Sequence, residues 1–445
     1  MKACNEYIIV GGGPVGLSVS MLLLRKGHSV KVYDKRKDPR INSESGRSIN
    51  LALSNRGFKT LALLGLEEII KSQHAVSMSG RTIHSNSNQT NFQPYSENNE
   101  CIYSVSRSEL NILLLDEAEK SGIEIVFNAK CLNFVDSKET LVFEEFEIST
   151  NGKSILACDG AFSPLRNSLK ILSGFSHKET KLDYGYQEFT IPPDDNSGWQ
   201  LEKHSLHIWP RKDFMLIALP NTDGSFTCTL FLRLAGEHAF ENIKDINSAK
   251  SFFIRYFPDA YYLIKDFDQQ IKDNPISALF METCSPWNLD NKLLLLGDAA
   301  HAIVPFYGQG LNAGLEDVDL FIEAVENGLT ENLFSSFQKQ RKPDTDAIGE
   351  LALHNFIEMR DLVTDDIFML KKKIEHRIKE LFPSKWKTQY EQVTFSSLPY
   401  LKAQRNGREN DKKLTLILEN EILTDHLLNN KITEQDMYLL SSIIM

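Results

Sequence analysis

Residues Leu293–Asp319 read LLLLGDAAHAIVPFYGQGLNAGLEDVD: an apolar strand runs through Gly297-Asp298 and a glycine-bearing loop into a helix that opens near Leu311. The stretch gains its meaning from the other end of the chain. There a strand, Tyr7–Val10, meets Gly11-Gly12-Gly13-Pro14-Val15-Gly16 and then an apolar helix over Leu17–Lys26. This is G-x-G-x-x-G in the strand–turn–helix context that dinucleotide binding requires. Gly11 and Gly13 let the backbone turn tightly and approach a pyrophosphate. Gly16 lets helix and strand pack closely, and Pro14 fits the first turn, where its missing N–H costs nothing. A helix N-terminus favours anions, so two of them, separated by most of the chain, are candidates to face one cofactor. The first motif alone suits any dinucleotide; the pair points to non-covalent FAD.

Within the second motif, Asp298 lies just past a strand end and can accept from a ribose or ribityl hydroxyl; the alternative is a plain acidic helix cap. Gly308, Gly310 and Gly314 keep side chains away from whatever the helix meets, and the free N–H groups of Leu311 and Asn312 can face a flavin's pyrimidine edge. The strand Ser29–Tyr33 ends at Asp34, about 20 residues beyond the glycines, the spacing at which an acid meets a ribose hydroxyl. Cys158-Asp159-Gly160, after the strand-like run Ile155–Ala157, is a generic turn by itself. GRSINLALSNRG (Gly46–Gly57) carries Arg47 and Arg56, either of which can neutralise phosphate or serve as a surface helix charge.

A net charge of −11 argues against nucleic-acid binding, which rests on clustered Lys and Arg. Hydrophobic and charged contents of 42% and 24% are those of an ordinary globular protein. The six cysteines (Cys4, Cys101, Cys131, Cys158, Cys228, Cys284) show neither C-x-x-C nor metal spacing and read as reduced thiols of a soluble cytoplasmic protein. The first strand begins too early for a signal peptide, and no run reaches the ~20 apolar residues of a membrane span.

The texture changes along the chain. Thr82–Asn99 is a polar excursion, Asn111–Gly122 has helical periodicity, and Ile123–Phe127 is a strand. His204–Trp209, Phe214–Leu219 and Phe226–Leu232 alternate about polar turns, as in an antiparallel sheet. Beyond Asp344 the chain turns helical and charged. After Arg408, Leu414, Ile417, Leu418, Ile422, Leu423, Leu427 and Leu428 recur at helical spacing, which predicts an amphipathic helix packed on the body or on a partner, with no membrane anchor.

Together these motifs resemble the FAD-dependent aromatic hydroxylases, single-component flavoprotein monooxygenases built like p-hydroxybenzoate hydroxylase. Longer stretches narrow the resemblance to the branch that acts on L-kynurenine: Gly46–Gly57, LHIWPRKDFMLIALPNTDGSFTCTLF (Leu206–Phe231), GDAAHAIVPFYGQGLNAGLED (Gly297–Asp317) and QKQRKPDTDAIGELALHNFIEMRD (Gln338–Asp361). It extends to about Tyr400.

The resemblance implies an α/β fold: a glutathione-reductase-type FAD-binding Rossmann domain (1–75, 101–180 and 276–345), an inserted antiparallel or mixed β-sheet substrate domain (76–100 and 181–275), and a C-terminal helical region (346–445). It implies hydroxylation of L-kynurenine to 3-hydroxy-L-kynurenine with NADPH and O2, a step of tryptophan degradation. The alternatives are hydroxylation of a phenol or benzoate, or a FAD-binding oxidase. Flavin contacts carried over are Gly11, Gly13, Val15, Gly16, Tyr33, Asp34, Lys35, Arg36, Ala52, Arg107, Leu132, Asp298, Leu311 and Asn312. Substrate contacts are Arg81, Tyr95, Asn355 and Tyr390: an arginine to grip a carboxylate bidentately and three neutral donors. Phe306 and Pro305 would wall the reaction chamber, and no catalytic acid or base is assigned. Asp34 stands where relatives often carry Glu, Leu311 replaces a commoner Met, and Tyr307 sits where Phe or His is frequent. The membrane-anchoring C-terminal segment of eukaryotic members is expected to have no counterpart here. NADPH against NADH and the oligomeric state are left open.

Overall fold

The computed structural model describes residues 5–41, 50–87, 89–96, 100–196, 198–328, 332–360 and 366–444. Arg47 and Cys4 therefore lie outside the described residues, as does the side chain of Met359, which helical spacing would place on the same face as Asn355.

Four strands from distant parts of the chain line up in parallel, with the apolar C-terminal halves of Glu6–Val10, Ser29–Tyr33 and Lys153–Ala157 and all of Leu293–Leu295 buried. Leu293–Leu295 pairs with Lys153–Ala157, that strand with Glu6–Val10, and Glu6–Val10 with Ser29–Tyr33. Glu124–Val126 extends the sheet at one edge, and Asn288–Leu289 closes the other in antiparallel sense. The Pro14–Arg25 helix follows the first strand directly, and the Gly310–Glu326 helix packs beside it.

A second sheet of seven strands runs in the order Ser277–Ser285, Ser176–Ile191, Phe226–Arg233, Phe214–Pro220, Ser205–Arg211, Gly80–His84, Thr90–Pro94. It is antiparallel except where Gly80–His84 joins Ser205–Arg211 in parallel. Period-2 alternation sorts its faces. Phe226, Cys228, Leu230 and Leu232, with Phe214, Leu216 and Ala218, pack on one side under Phe252, Phe253, Phe257 and Phe267 of the covering helices. Met215 and Phe231 turn to the other side, toward the Gly310–Glu326 helix and the helix Leu333–Arg360.

The polar stretch from Thr82 onward is thus a hairpin of the substrate sheet, because Thr82 and His84 are buried on its covered face. The sheet does not end near 275. Ser277–Ser285 buries Leu279, Met281, Glu282 and Cys284 and pairs along Ser176–Ile191. The helical part likewise begins before 346, at Leu333. The tail is three helices rather than one, Tyr400–Glu419, Glu421–Leu428 and Glu434–Ile444, since the Asn420 side chain caps the second of them by accepting from Leu423 N. Their apolar faces close on Ile374, Ile378, Phe382 and Trp386. No helix among the described residues is long and apolar enough to cross a membrane.

Candidate active site

The glycine turn is fixed by packing at two positions and open at a third. Gly11 has φ +110°, and a Cβ there would stand 2.2 Å from the Cys158 carbonyl oxygen; one on Gly16 would stand 1.9 Å from that of Gly11. At Gly13 a Cβ would meet no protein atom within 4 Å, so the turn presents bare backbone to open space. Gly12 N donates to Asp34 Oδ2 at 2.6 Å. Asp34 also accepts from Arg36 N, Nε and Nη2 at 2.7, 3.0 and 2.8 Å, so both carboxylate oxygens are engaged. Burial raises its pKa, but the Arg36 contacts outweigh this and hold it below the usual range. A ribose hydroxyl would have to displace the half-exposed Arg36, and in the structure Asp34 anchors the glycine loop. Tyr33 accepts from Gly11 N through its carbonyl while its ring packs on Phe143 at 4.9 Å. Lys35 and Leu132 are exposed nearby, and Ala129 N bonds to the Asp34 carbonyl.

The two glycine motifs interlock through Val15. A Cβ on Gly314 would lie 2.8 Å from Val15 Cγ2, and one on Gly297, at φ +61°, 3.1 Å from it. Asp317, fully buried, holds the Gly297 turn by accepting from Gly297 N at 2.9 Å, His301 Nε2 at 2.6 Å and Arg341 Nε at 2.7 Å. The Asp298 carboxylate is solvent-accessible yet ringed by protein. The surrounding protein raises its pKa against the opposing pull of Arg107. Asn312 spends its side chain on structure, accepting from Ser54 N at 2.8 Å and donating to the Ala52 and Gly308 carbonyls at 2.8 and 2.9 Å. Its backbone N–H and that of Leu311 lie in the first helical turn, where no intrahelical acceptor exists.

Arg56 is engaged by the protein itself. Buried, it pairs with Glu316 at 2.6 Å, donates to the Val393 and Leu398 carbonyls, and lies 3.9 Å over the Tyr400 ring. It ties the Gln389–Tyr400 segment to the Gly310–Glu326 helix. Its aromatic and acidic partners stand far along the chain, so neither sequence reading of it anticipates this clamp.

Three of the four substrate residues meet. The Arg81 guanidinium lies 4.7 Å over the Tyr390 ring and 5.3 Å over that of Tyr95, and the two rings stack at 5.5 Å. Arg81 Nε and the Tyr95 hydroxyl are buried without a hydrogen bond of good geometry, and among the described residues no carboxylate pairs with Arg81. Burial and Tyr390 push the Tyr95 hydroxyl well up, so it remains a neutral donor. Asn355 joins through a neighbour, donating to the Phe306 carbonyl at 2.8 Å. Phe306 stacks on Phe356 at 4.4 Å and leans on Phe231 at 5.0 Å, an apolar wall. Tyr307 completes the row by stacking on Tyr390 at 5.7 Å. Sequence reasoning missed it as a site residue, although its place beside Phe306 was the available signal. Ala52 packs against the Tyr95 cluster, and a Cβ on Gly308 would stand 3.2 Å from its own.

The open face at Gly13, the accessible Asp298 carboxylate and the buried Asp159 Oδ1, which has no hydrogen-bond partner, fit a dinucleotide. Fold and site together define a FAD-dependent aromatic monooxygenase, and the FAD binding domain family matches residues 5–348. Two solved structures share the fold. The tetrameric form of 2-methyl-3-hydroxypyridine-5-carboxylic acid oxygenase aligns with TM-score 0.67 and 18% identity over 80% of this chain and 93% of that one. Klebsiella pneumoniae HpxO, complexed with FAD and uric acid, aligns with TM-score 0.63 and 17% identity over 93% and 97%. Sequence relatives are much nearer. Kynurenine 3-monooxygenase of Flavobacterium psychrophilum is 40% identical over 99% of this chain and 100% of its own length, and that of Dictyostelium discoideum 41% over 92% of each. The chain belongs to the kynurenine 3-monooxygenase family. The alignment runs past Tyr400, so the tail has a counterpart in the bacterial relative.

Proposed function

We propose that the protein hydroxylates L-kynurenine to 3-hydroxy-L-kynurenine with NADPH and O2, and that Arg81 receives the substrate carboxylate. The observation that carries this is a buried guanidinium without an acid among the described residues, walled by phenols. A buried charge needs a partner, and a planar fork suits a carboxylate. Tyr95, Tyr390 and Asn355 are the neutral donors around the amino-acid group. Phe306 and Phe231 keep water from the ring edge.

FAD would be held by the Gly11–Gly16 turn, Arg36, Arg107, Asp298 and the first turn of the Gly310–Glu326 helix, with Asp34 bracing the turn. Bound FAD supplies electron transfer from NADPH and activation of O2. The chain's own part is to seat the substrate with its aniline ring toward that helix. The ring is already electron-rich, so no protein base is assigned.

The functional division is a nucleotide-binding body, a substrate sheet and a helical cap, in a soluble cytoplasmic enzyme. The inward-facing apolar cluster of the tail supports the last point; recovery in a membrane pellet at high salt would contradict it. The deciding experiment incubates the FAD-loaded enzyme with NADPH, O2 and either L-kynurenine or p-hydroxybenzoate. Mass spectrometry should find one added oxygen on kynurenine alone. NADPH oxidation at full rate without substrate, with stoichiometric peroxide, would favour an oxidase.

A further inference from the structure

On the face of the substrate sheet away from the tyrosines, two buried histidines stand in line. His84 Nδ1 is 3.0 Å from Asp259 Oδ2, His84 Nε2 is 2.9 Å from His207 Nδ1, and His207 Nε2 is 2.8 Å from the Glu202 carbonyl oxygen. The His84 ring stacks on Trp209 at 3.9 Å, and Trp209 Nε1 donates to the same Asp259 oxygen at 2.8 Å. Hydrogens can be counted along this row. A carbonyl and a carboxylate only accept, so each of the three links between them needs one hydrogen. Two neutral imidazoles supply two.

We infer that His84, His207 and Asp259 share one buried proton beyond those of two neutral rings and a carboxylate, and that the protonated row positions the strand carrying Arg81. Burial pushes His207 down to about 4. Burial alone would raise Asp259, but the His84 ring and Trp209 hold it below its ordinary range. The 3.0 Å contact between His84 Nδ1 and Asp259 Oδ2 sets one link of the row beside a carboxylate. The charged groups facing the row are Asp259, Glu202 and Arg211, which donates to the His84 carbonyl at 3.0 Å.

The strand Gly80–His84 is paired on both edges, and the row is the side-chain anchor at its C-terminal end. Its inner pairing runs only from Gly80–Ser205 to Ile83–Ile208, and its outer neighbour, Thr90–Pro94, is exposed along its length. Alternation sends Thr82 and His84 to the covered face and Arg81 to the cavity. The row therefore fixes, from behind, the height and register of the guanidinium. Loss of the extra proton leaves two acceptors facing each other and loosens the His84 end of the strand, while its backbone pairing stays. This consequence rests on the assignment of Arg81 to the carboxylate; the proton count does not.

The test uses the FAD-loaded enzyme with selectively 15N-labelled histidine. At neutral pH, NMR should resolve three imidazole N–H groups on this pair, identified by their loss in His84→Gln and His207→Gln. His84→Gln should raise the kynurenine KM about tenfold with kcat nearly unchanged. In the native enzyme KM should climb at the alkaline pH where the third N–H disappears, and the variant should lack that climb. Only two N–H groups between pH 6 and 8 would overturn the shared proton. A KM climb equal in both enzymes would overturn the positioning role. An Arg81→Ala enzyme with unchanged KM would instead mark a failure of the carboxylate assignment, leaving the proton count to stand on the NMR. Should His84→Gln not fold, Asp259→Asn removes the acceptor charge and serves the same comparison.

Discussion

Arg81→Ala separates a binding role from a structural one. A bidentate contact between guanidinium and carboxylate in a largely dry cavity is worth about 3 kcal/mol net, which at ~1.4 kcal/mol per tenfold is roughly 150-fold in kcat/KM. The free protein should respond in the opposite sense. Among the described residues the substitution breaks no ion pair, and the ring contacts it deletes are worth about 0.5–2 kcal/mol. Against that stands the relief of a buried charge, several kcal/mol if left unpaired. The Tm of the substrate-free variant should equal or exceed that of the native protein while its kynurenine KM rises steeply. Steady-state NADPH oxidation, product mass spectrometry and calorimetry read the two effects independently. Decarboxylated kynurenine should be a poor substrate for the native enzyme and little worse for the variant. Arg81→Lys should rescue only in part, because an ammonium keeps the charge and loses the fork. A variant with lowered Tm, unchanged KM and unchanged coupling to hydroxylation would refute the reasoning and make Arg81 a structural residue.

Gly13→Ala should leave the FAD-free fold intact, since its Cβ meets nothing, yet cut flavin retention measured by absorbance after gel filtration; Gly16→Ala, with 1.9 Å to a carbonyl oxygen, should fail to fold. Asp298→Ala should weaken FAD binding by about 1.5–3 kcal/mol if its carboxylate takes a cofactor hydroxyl, and undiminished flavin content would remove that assignment. Asp159, pushed up to about 6 by burial, titrates near 3.9 when unfolded. A carboxyl raised on folding contributes stability that is full below about pH 4 and lost as pH rises through 6. Denaturant titrations of the FAD-free protein should therefore show Asp159→Asn gaining on the native chain across that window, on the order of 1–2 kcal/mol; parallel curves would contradict it.

The nucleotide-binding body was legible because its signals are local. Glycine spacing, an apolar strand and a helix start all lie within a few residues of Gly11 and of Gly297, and packing bears out the turn at Gly11 and the close approach at Gly16. The sheet strands were legible by alternation, as at Phe214–Pro220. What escaped depends on which distant residues meet. Arg56 reads as a surface or phosphate charge until Glu316, Val393 and Tyr400 are seen around it. Asp34 reads as a ribose acceptor, and its bonds to Gly12 N and to Arg36 carry no signal in the sequence. The tail shows one continuous periodicity, and only the Asn420 cap reveals the break.

The interlock of Val15 with Gly297 and Gly314 bears on how the protein is made. A ribosome adding about 5–20 residues per second releases the first half of the nucleotide cleft roughly 15–60 s before the second half exists. During that interval Val15 has no glycine surface to seat against, and the growing chain has only one of its two helix ends to offer a cofactor. FAD capture is therefore a late event of biosynthesis that waits until Gly314 has emerged, and a product truncated before Gly297 would lack the second half of the cleft.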